Sequence, residues 1–278
     1  MKHTCQILGT TTAYWEYNPD KPTTLILIHG FRGTHHGLLK IAELLPDYRL
    51  IIPDLPGFGV SDALTGGHGI GDYVEWLFQF RQIVDPASPA SYIVGHSFGS
   101  IVVSHFASLH PSTVAKLVVI NPIGAPALEG EQRLLTQLAI LYYWLGRKLP
   151  ARAARAWISL KPITKITSIT MRKTKDRQIR KFIDKQHYTH FSTFANPTQL
   201  AESFKTSVSH DVSQVAEHLT MPTLMIVGEK DDITALNKQR ELHAKIDGAE
   251  LVIIPNVGHL THYETPDQVA SAIRKFIK

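Results

Sequence analysis

Tyr92-Ile93-Val94-Gly95-His96-Ser97-Phe98-Gly99 runs a short apolar strand into a serine bracketed by glycines, and the helical pattern Ser100–Leu109 follows directly. Residues 95–99 match G-x-S-x-G in the strand–turn–helix setting that the motif requires. The turn is tight enough to strain the serine backbone, and a side chain at 95 or 99 would collide with the adjoining strand or helix. Without that setting, a chance Gly/Ser turn would be an equal rival reading of the bare pentapeptide. Within it, Ser97 stands at the carboxyl end of a strand with its hydroxyl beside a helix N-terminus, and is the candidate nucleophile.

Outward from this turn, Leu25–Ile28, Leu50–Ile52, Leu117–Ile120, Leu224–Val227 and Leu251–Ile254 are equally short, continuously apolar runs. Such runs suit strands buried on both faces of a parallel sheet. Helical patterns at Gly37–Leu45, Tyr73–Val84, Leu236–Ile246 and Gln268–Ile277 lie among them, and His3–Gly9 with Thr12–Tyr17 reads as an opening antiparallel hairpin. Alternating strands and helices argue for an open α/β sheet with crossovers on both faces. The alternation stops after Asn121-Pro122-Ile123-Gly124-Ala125-Pro126, where the patterns are helical, among them Leu134, Leu138, Leu141 and Leu145. The expected organisation is a core of residues 1–123 and 208–278 interrupted by a helical cap at 124–207.

The chain has 278 residues, 44% hydrophobic and 19% charged, which excludes wholesale disorder, collagen and coiled coil. One cysteine, Cys5, cannot form an internal disulfide, and Met1–Gln6 lacks the apolar run of a signal peptide. No stretch approaches the roughly 18 apolar residues of a membrane span. The expectation is a soluble, cytoplasmic protein. The net charge of +5 is unevenly spread: from Arg147 to Lys185 there are thirteen Lys or Arg against Asp176 and Asp184, and the remainder is mildly acidic.

From about Thr12 to Lys278 the sequence resembles the α/β-hydrolase family, in its capped serine esterase and hydrolase branch. The resemblance is carried by Gly95–Gly99, by His29-Gly30-Phe31-Arg32-Gly33, similar to the family's oxyanion loop, and by Asp54-Leu55-Pro56-Gly57-Phe58-Gly59-Val60-Ser61. It implies a central, mostly parallel eight-stranded sheet flanked by helices, a cap after the strand ending near Ile120, and a triad in the order Ser, acid, His. The acid and the histidine are therefore sought beyond the last two strands, in Gly228-Glu229-Lys230-Asp231-Asp232 and Pro255-Asn256-Val257-Gly258-His259. His259 would take and return the Ser97 proton, and a carboxylate would hold its tautomer. Asp231 lies where the family usually places its acid; Asp232 is the close alternative and Glu229 a distant one. The other acid position of this fold falls on Asn121-Pro122, which offers no carboxylate. The oxyanion donors expected are the backbone N–H groups of Phe98, by elbow geometry, and Phe31, by resemblance.

The remaining histidines receive plainer readings. His29 braces the oxyanion loop, His96 is structural, and His35 and His36 lie near the pocket mouth. His68, His187 and His190 show no accompanying ligand pattern, so neither a metal nor a cofactor is expected. The leading function is carboxylesterase-like hydrolysis of a small-molecule ester with an apolar part. A carbon–carbon bond hydrolase, a thioesterase or a perhydrolase would use the same residues, and a ligand-binding receptor with a slow site belongs to another class. The basic cap is either a solvated face or a surface for anionic substrates or an anionic membrane, with the apolar stretch Leu134–Leu145 lining a pocket or touching lipid. No nucleic-acid motif appears.

Overall fold

Each of the apolar runs becomes a strand of one sheet. The computed structural model describes residues 1–126 and 133–278, without the side chains of Arg133 and Leu135. Residues 127–132, part of the expected cap, lie outside the described residues. The strands are β1 (Lys2–Ile7), β2 (Thr10–Tyr17), β3 (Thr24–Ile28), β4 (Arg49–Pro53), β5 (Ser91–His96), β6 (Val114–Ile120), β7 (Thr223–Gly228) and β8 (Glu250–Ile254), in the spatial order β1-β2-β4-β3-β5-β6-β7-β8. The opening hairpin pairs antiparallel and joins β4 antiparallel; every later pairing is parallel. This is the mostly parallel eight-stranded sheet implied by the resemblance.

Continuous apolarity has the physical reason anticipated for it. Alternate residues of one strand enter two different cores: Ile26, Ile28, Ile93, Leu117 and Val119 lie on one face, Leu25, Leu27, Val94, Val118 and Ile120 on the other. The helices are α1 (Leu39–Glu43), α2 (Ile70–Val84), α3 (Phe98–Leu109), α4 (Arg133–Lys148), α5 (Ala151–Ile158), α6 (Lys161–Met171), α7 (Arg177–His190), α8 (Pro197–Ser209), α9 (Leu236–His243), α10 (Thr261–Glu264) and α11 (Pro266–Ile277). Helices α2 and α3 cover the first face, through Tyr73, Trp76, Phe80, Ile101 and Phe106. Helices α1 and α11 cover the second, through Ile41, Val269, Ile273 and Phe276.

Between β6 and β7 the described residues form helices α4 to α8. The expected boundary at residue 207 falls inside α8, which runs on to Ser209, where the His210 backbone N–H still closes onto the Thr206 carbonyl. The apolar stretch on α4 turns mostly outward. Leu134, Leu138, Leu141 and Leu145 are 66%, 54%, 49% and 39% exposed, while Tyr143 packs inward against Phe31 and Phe204. The inserted helices are tied to the core by Arg32, whose guanidinium donates to the carbonyls of Phe191 (2.8 Å) and Ile158 (3.1 Å).

Candidate active site

Close packing around the turn that follows β5 dictates its sequence. Ser97 has φ +53° and ψ −119°, a strained left-handed backbone for a residue with a side chain. A Cβ at Gly95 would lie 2.5 Å from Val103 Cγ2 and 2.6 Å from the Gly99 carbonyl oxygen, and one at Gly99 would collide with the Ile28 and His29 carbonyls. The elbow is held from the neighbouring strand, where the Ile120 carbonyl accepts from the Ser97 N–H at 3.0 Å.

This geometry aims Ser97 at His259. Ser97 Oγ is 2.7 Å from His259 Nε2, and His259 Nδ1 is 2.8 Å from Asp231 Oδ2. His259 and Asp231 are 2% and 4% exposed, whereas Ser97 remains half-buried at the cavity. Asp232 does not reach the imidazole; its carboxylate pairs with Lys173 at the surface. Glu229 instead accepts from the Asn256 N–H. The structure thus brings together Ser97, His259 and Asp231 out of the predicted candidates.

The Asp231 carboxylate is fully occupied. Oδ1 accepts from the Ile233 and Thr234 N–H groups at 2.8 and 3.1 Å. Oδ2 accepts from the Thr234 hydroxyl at 2.7 Å and the Asn121 amide at 2.8 Å, besides His259. Burial alone would raise its pKa, but the adjacent His259 and these donors outweigh it and bring the group down to about 2. Asn121 escaped the sequence reading, which noted it as the place where a carboxylate was missing. Its position at the end of β6, one strand from the acid loop, was the available signal.

The loop after β3 closes the other side. A Cβ at Gly30 would lie 3.1 Å from Ser97 Cβ, so the residue before Phe31 packs directly against Ser97. Neither the Phe31 nor the Phe98 N–H donates to an acceptor among the described residues. His29 braces this loop. Its Nε2 accepts from the Leu55 N–H at 2.9 Å, so the proton sits on Nδ1 and is donated to the Gly30 carbonyl at 2.8 Å. Burial pushes its pKa down to about 4, keeping it neutral. His96 is likewise buried and neutral, near 3, with Nε2 3.3 Å from the His259 carbonyl. His35 turns from the cavity to Asp54 Oδ1, at 2.9 Å, and stacks on Trp15.

A cavity of about 50 Å³ lies over Ser97, with Phe31, Met171, His187, Phe191, His262 and Tyr263 in its wall. Among the described residues no Lys or Arg lines it. Met171, His187 and Phe191 come from the inserted helical segment, so that segment shapes the space beside Ser97. Among the described residues no group of three or more His, Cys, Asp or Glu is placed to hold a metal. No helix among them is long and apolar enough to cross a membrane.

Comparisons with known proteins agree with this fold. Residues 23–266 match the family model described as alpha/beta hydrolase fold. Lipase 3 of Moraxella sp. (strain TA144) is 24% identical over 275 residues, covering 96% of this chain and 81% of that protein. The 2-succinyl-6-hydroxy-2,4-cyclohexadiene-1-carboxylate synthase of Escherichia coli O7:K1 is 26% identical over 263 residues, 91% of this chain and 93% of its own. In structure, a thermophilic esterase from Thermogutta terrifontis superposes with a TM-score of 0.81 at 19% identity, over 100% of this chain and 98% of that one. With a family model matched over most of its length and an eight-stranded sheet of this order, the chain belongs to the alpha/beta hydrolase fold family.

Proposed function

We propose that this α/β hydrolase cleaves carboxylic esters through an acyl-enzyme, with Ser97 as nucleophile, His259 as general base and acid, and Asp231 as the residue that orients it. The observation that carries the reading is the unbroken hydrogen-bond line from Ser97 Oγ through both His259 nitrogens to Asp231, at 2.7 and 2.8 Å. An ionised Asp231 keeps the proton on Nδ1, which leaves Nε2 bare to accept the Ser97 proton. Oγ then bonds to the ester carbon, and the carbonyl electron pair moves onto oxygen. The Phe98 and Phe31 N–H groups are the donors for that oxyanion, and losing one such donor typically costs on the order of 100- to 1000-fold in rate. His259 returns the proton to the departing alcohol. Water, deprotonated by His259, then releases the acid and restores Ser97.

Likeness to a lipase and to esterases supports ester chemistry. The synthase is named for a carboxylate product, and a cavity with no Lys or Arg among its described lining residues favours an uncharged ester over an anion. The test is fluorophosphonate labelling together with turnover of short p-nitrophenyl esters. Labelling lost in Ser97→Ala, with measurable turnover in the wild type, is the expected result. A wild type that neither labels nor hydrolyses any such ester removes the reading, and one that labels but turns over only in hours points to a slow receptor site.

A second element of the proposal is a partner surface. Helix α4 presents Leu134, Leu138, Leu141 and Leu145 outward at helical spacing, with Trp144 50% exposed beside them. The exposed basic residues Arg147, Lys148, Arg152, Lys161 and Lys165 lie on α4 and the two helices that follow. An apolar stripe followed by exposed basic residues, with Lys148 over the Trp144 ring, fits an anionic lipid surface, where each Lys or Arg contributes about 1 kcal/mol.

A further inference from the structure

Ester cleavage by Ser97, His259, Asp231 and two backbone amides leaves two further imidazoles at the same cavity without a task. His187, on α7, and His262, on α10, both line the cavity with Ser97 and are 1% and 5% exposed. Nδ1 of each is sealed from solvent and has no hydrogen-bond partner among the described residues. Neither ring makes another hydrogen bond among those residues. Both are held by ring packing instead: His187 stacks on Phe191 with centroids 4.2 Å apart, and His262 lies 4.0 Å from His96 and from Tyr263. The Tyr263 hydroxyl, in the same wall, is also without a partner among the described residues.

The sealed Nδ1 atoms are beyond the reach of a molecule in the cavity. Nε2 of each ring also has no partner among the described residues and is not sealed, so a bound molecule can supply the hydrogen bond that each Nε2 lacks. The chemistry of such a molecule is constrained. Burial keeps both rings neutral, His187 down to about 4 and His262 well below the ordinary histidine range. Across the two Nε2 atoms the neutral tautomers can offer one donor and one acceptor, which matches a hydroxyl, itself donor and acceptor. The described wall residues include no Lys or Arg and so offer no countercharge for a carboxylate or phosphate, and about 50 Å³ admits a group of only a few atoms. An alkyl chain would fill the space and leave the nitrogens unpaired.

We infer that His187 and His262 form a specificity subsite for a hydroxyl group carried by the substrate close to its scissile ester. The inference rests on the ester-hydrolase reading of Ser97. The hydroxyl could belong to the acid half or the alcohol half, and matched esters separate the two. Phenyl 3-hydroxybutanoate against phenyl 3-methylbutanoate tests the acid half, and 2-hydroxypropyl acetate against 2-methylpropyl acetate tests the alcohol half. Each pair exchanges hydroxyl for methyl. The expected result is a kcat/KM ratio of at least about tenfold in favour of the hydroxyl in one pair, falling toward one in His187→Phe or His262→Phe. The ratio is an internal control for any general loss caused by the substitution.

Two-bond ¹H–¹⁵N histidine spectra of the Ser97→Ala protein give a readout that needs no turnover and leaves both His187 and His262 in place. The His187 and His262 signals should shift with the hydroxy ester and not with its methyl counterpart. Ratios near one in both pairs, or histidine signals indifferent to the hydroxyl, overturn the subsite. Absence of turnover on all four esters together with absence of fluorophosphonate labelling brings down the ester reading instead, and the spectra still decide the subsite.

Discussion

Asn121 donates through Nδ2 to Asp231 Oδ2 at 2.8 Å, from the end of β6 to the loop beyond β7. Its orientation is fixed from both ends. Thr261 Oγ1 donates to Asn121 Oδ1 at 2.5 Å, so the amide nitrogen faces the carboxylate, and the Asn121 N–H donates to the Ile226 carbonyl at 2.7 Å. The residue is fully buried with φ +44°, a backbone that asparagine tolerates better than most side chains. The position that carries no acid thus holds the acid supplied by its neighbour.

With the triad proposed above, Asn121 positions Asp231, and Asn121→Ala should lower kcat on a p-nitrophenyl ester on the order of 10- to 100-fold, with KM changed far less. Asn121→Asp separates this role from general packing. A second carboxylate beside Asp231 disfavours its ionisation. The acid limb of the pH–rate profile should accordingly move to higher pH in that variant. An unmoved limb with normal kcat would show that the Asn121 contact is incidental.

The two neighbouring aspartates should behave oppositely. Asp231→Asn removes the acceptor that holds His259 Nδ1–H, and an amide there favours the wrong tautomer, so kcat should fall by roughly 10⁴. Asp232 is at the surface in an ion pair with Lys173, and such pairs are worth little. Asp232→Asn should stay within about threefold of the wild type. Comparable losses in both variants would assign the acid differently.

The elbow, the order of the strands along the chain and the last-strand histidine were legible in the sequence because each is enforced locally. Gly95 is set by collisions with Gly99 and Val103 a few residues on, Gly99 by the carbonyls of the adjoining strand that any elbow of this kind packs against, and continuous apolar runs report burial on two faces. What stayed hidden depends on contacts between distant segments. Nothing in the run Leu134–Leu145 says that Tyr143 alone among its aromatic residues would be buried. His187 and His262 lie 75 positions apart and meet only because the inserted helices fold over the carboxyl ends of the strands. Asp231 and Asp232 could be ranked by resemblance, but what separates them in space is which carboxylate faces Asn121, Thr234 and His259.

Buried neutral histidines make the fold sensitive to acid. Burial lowers His29, His68 and His187 to about 4 and His96 to about 3, against about 6.5 in an unfolded chain. Between those values the unfolded state binds more protons. Their contribution to stability is thus whole above about pH 6.5 and is lost as pH falls toward 4. By pH 5 each such histidine should cost on the order of 2 kcal/mol. The urea midpoint should drop steeply between pH 7 and pH 5. His68, which bridges the Leu64 N–H and the Tyr73 hydroxyl away from the cavity, offers the check: His68→Gln should flatten the slope by about one proton. A midpoint indifferent to pH over this range would contradict the neutral assignment.

The outward face of α4 predicts a salt-sensitive association with lipid. A single solvent-exposed leucine is unremarkable, but Leu134, Leu138, Leu141 and Leu145 form a continuous stripe along one helix. Apolar area alone would bind neutral and anionic bilayers alike, whereas the neighbouring basic residues add attraction only to the anionic one. That difference fixes the experiment. The protein should sediment with vesicles of phosphatidylcholine and phosphatidylglycerol at 50 mM NaCl and be largely released at 500 mM, since screening shortens the range of surface charge. Leu138→Glu with Leu141→Glu should weaken binding at least about tenfold at low salt, by removing apolar contact and adding repulsion. Neither leucine lines the cavity, so turnover of a soluble ester should be retained while turnover of an ester presented in anionic vesicles falls. Equal sedimentation with pure phosphatidylcholine, or none with the anionic vesicles at low salt, would leave the stripe without a lipid partner.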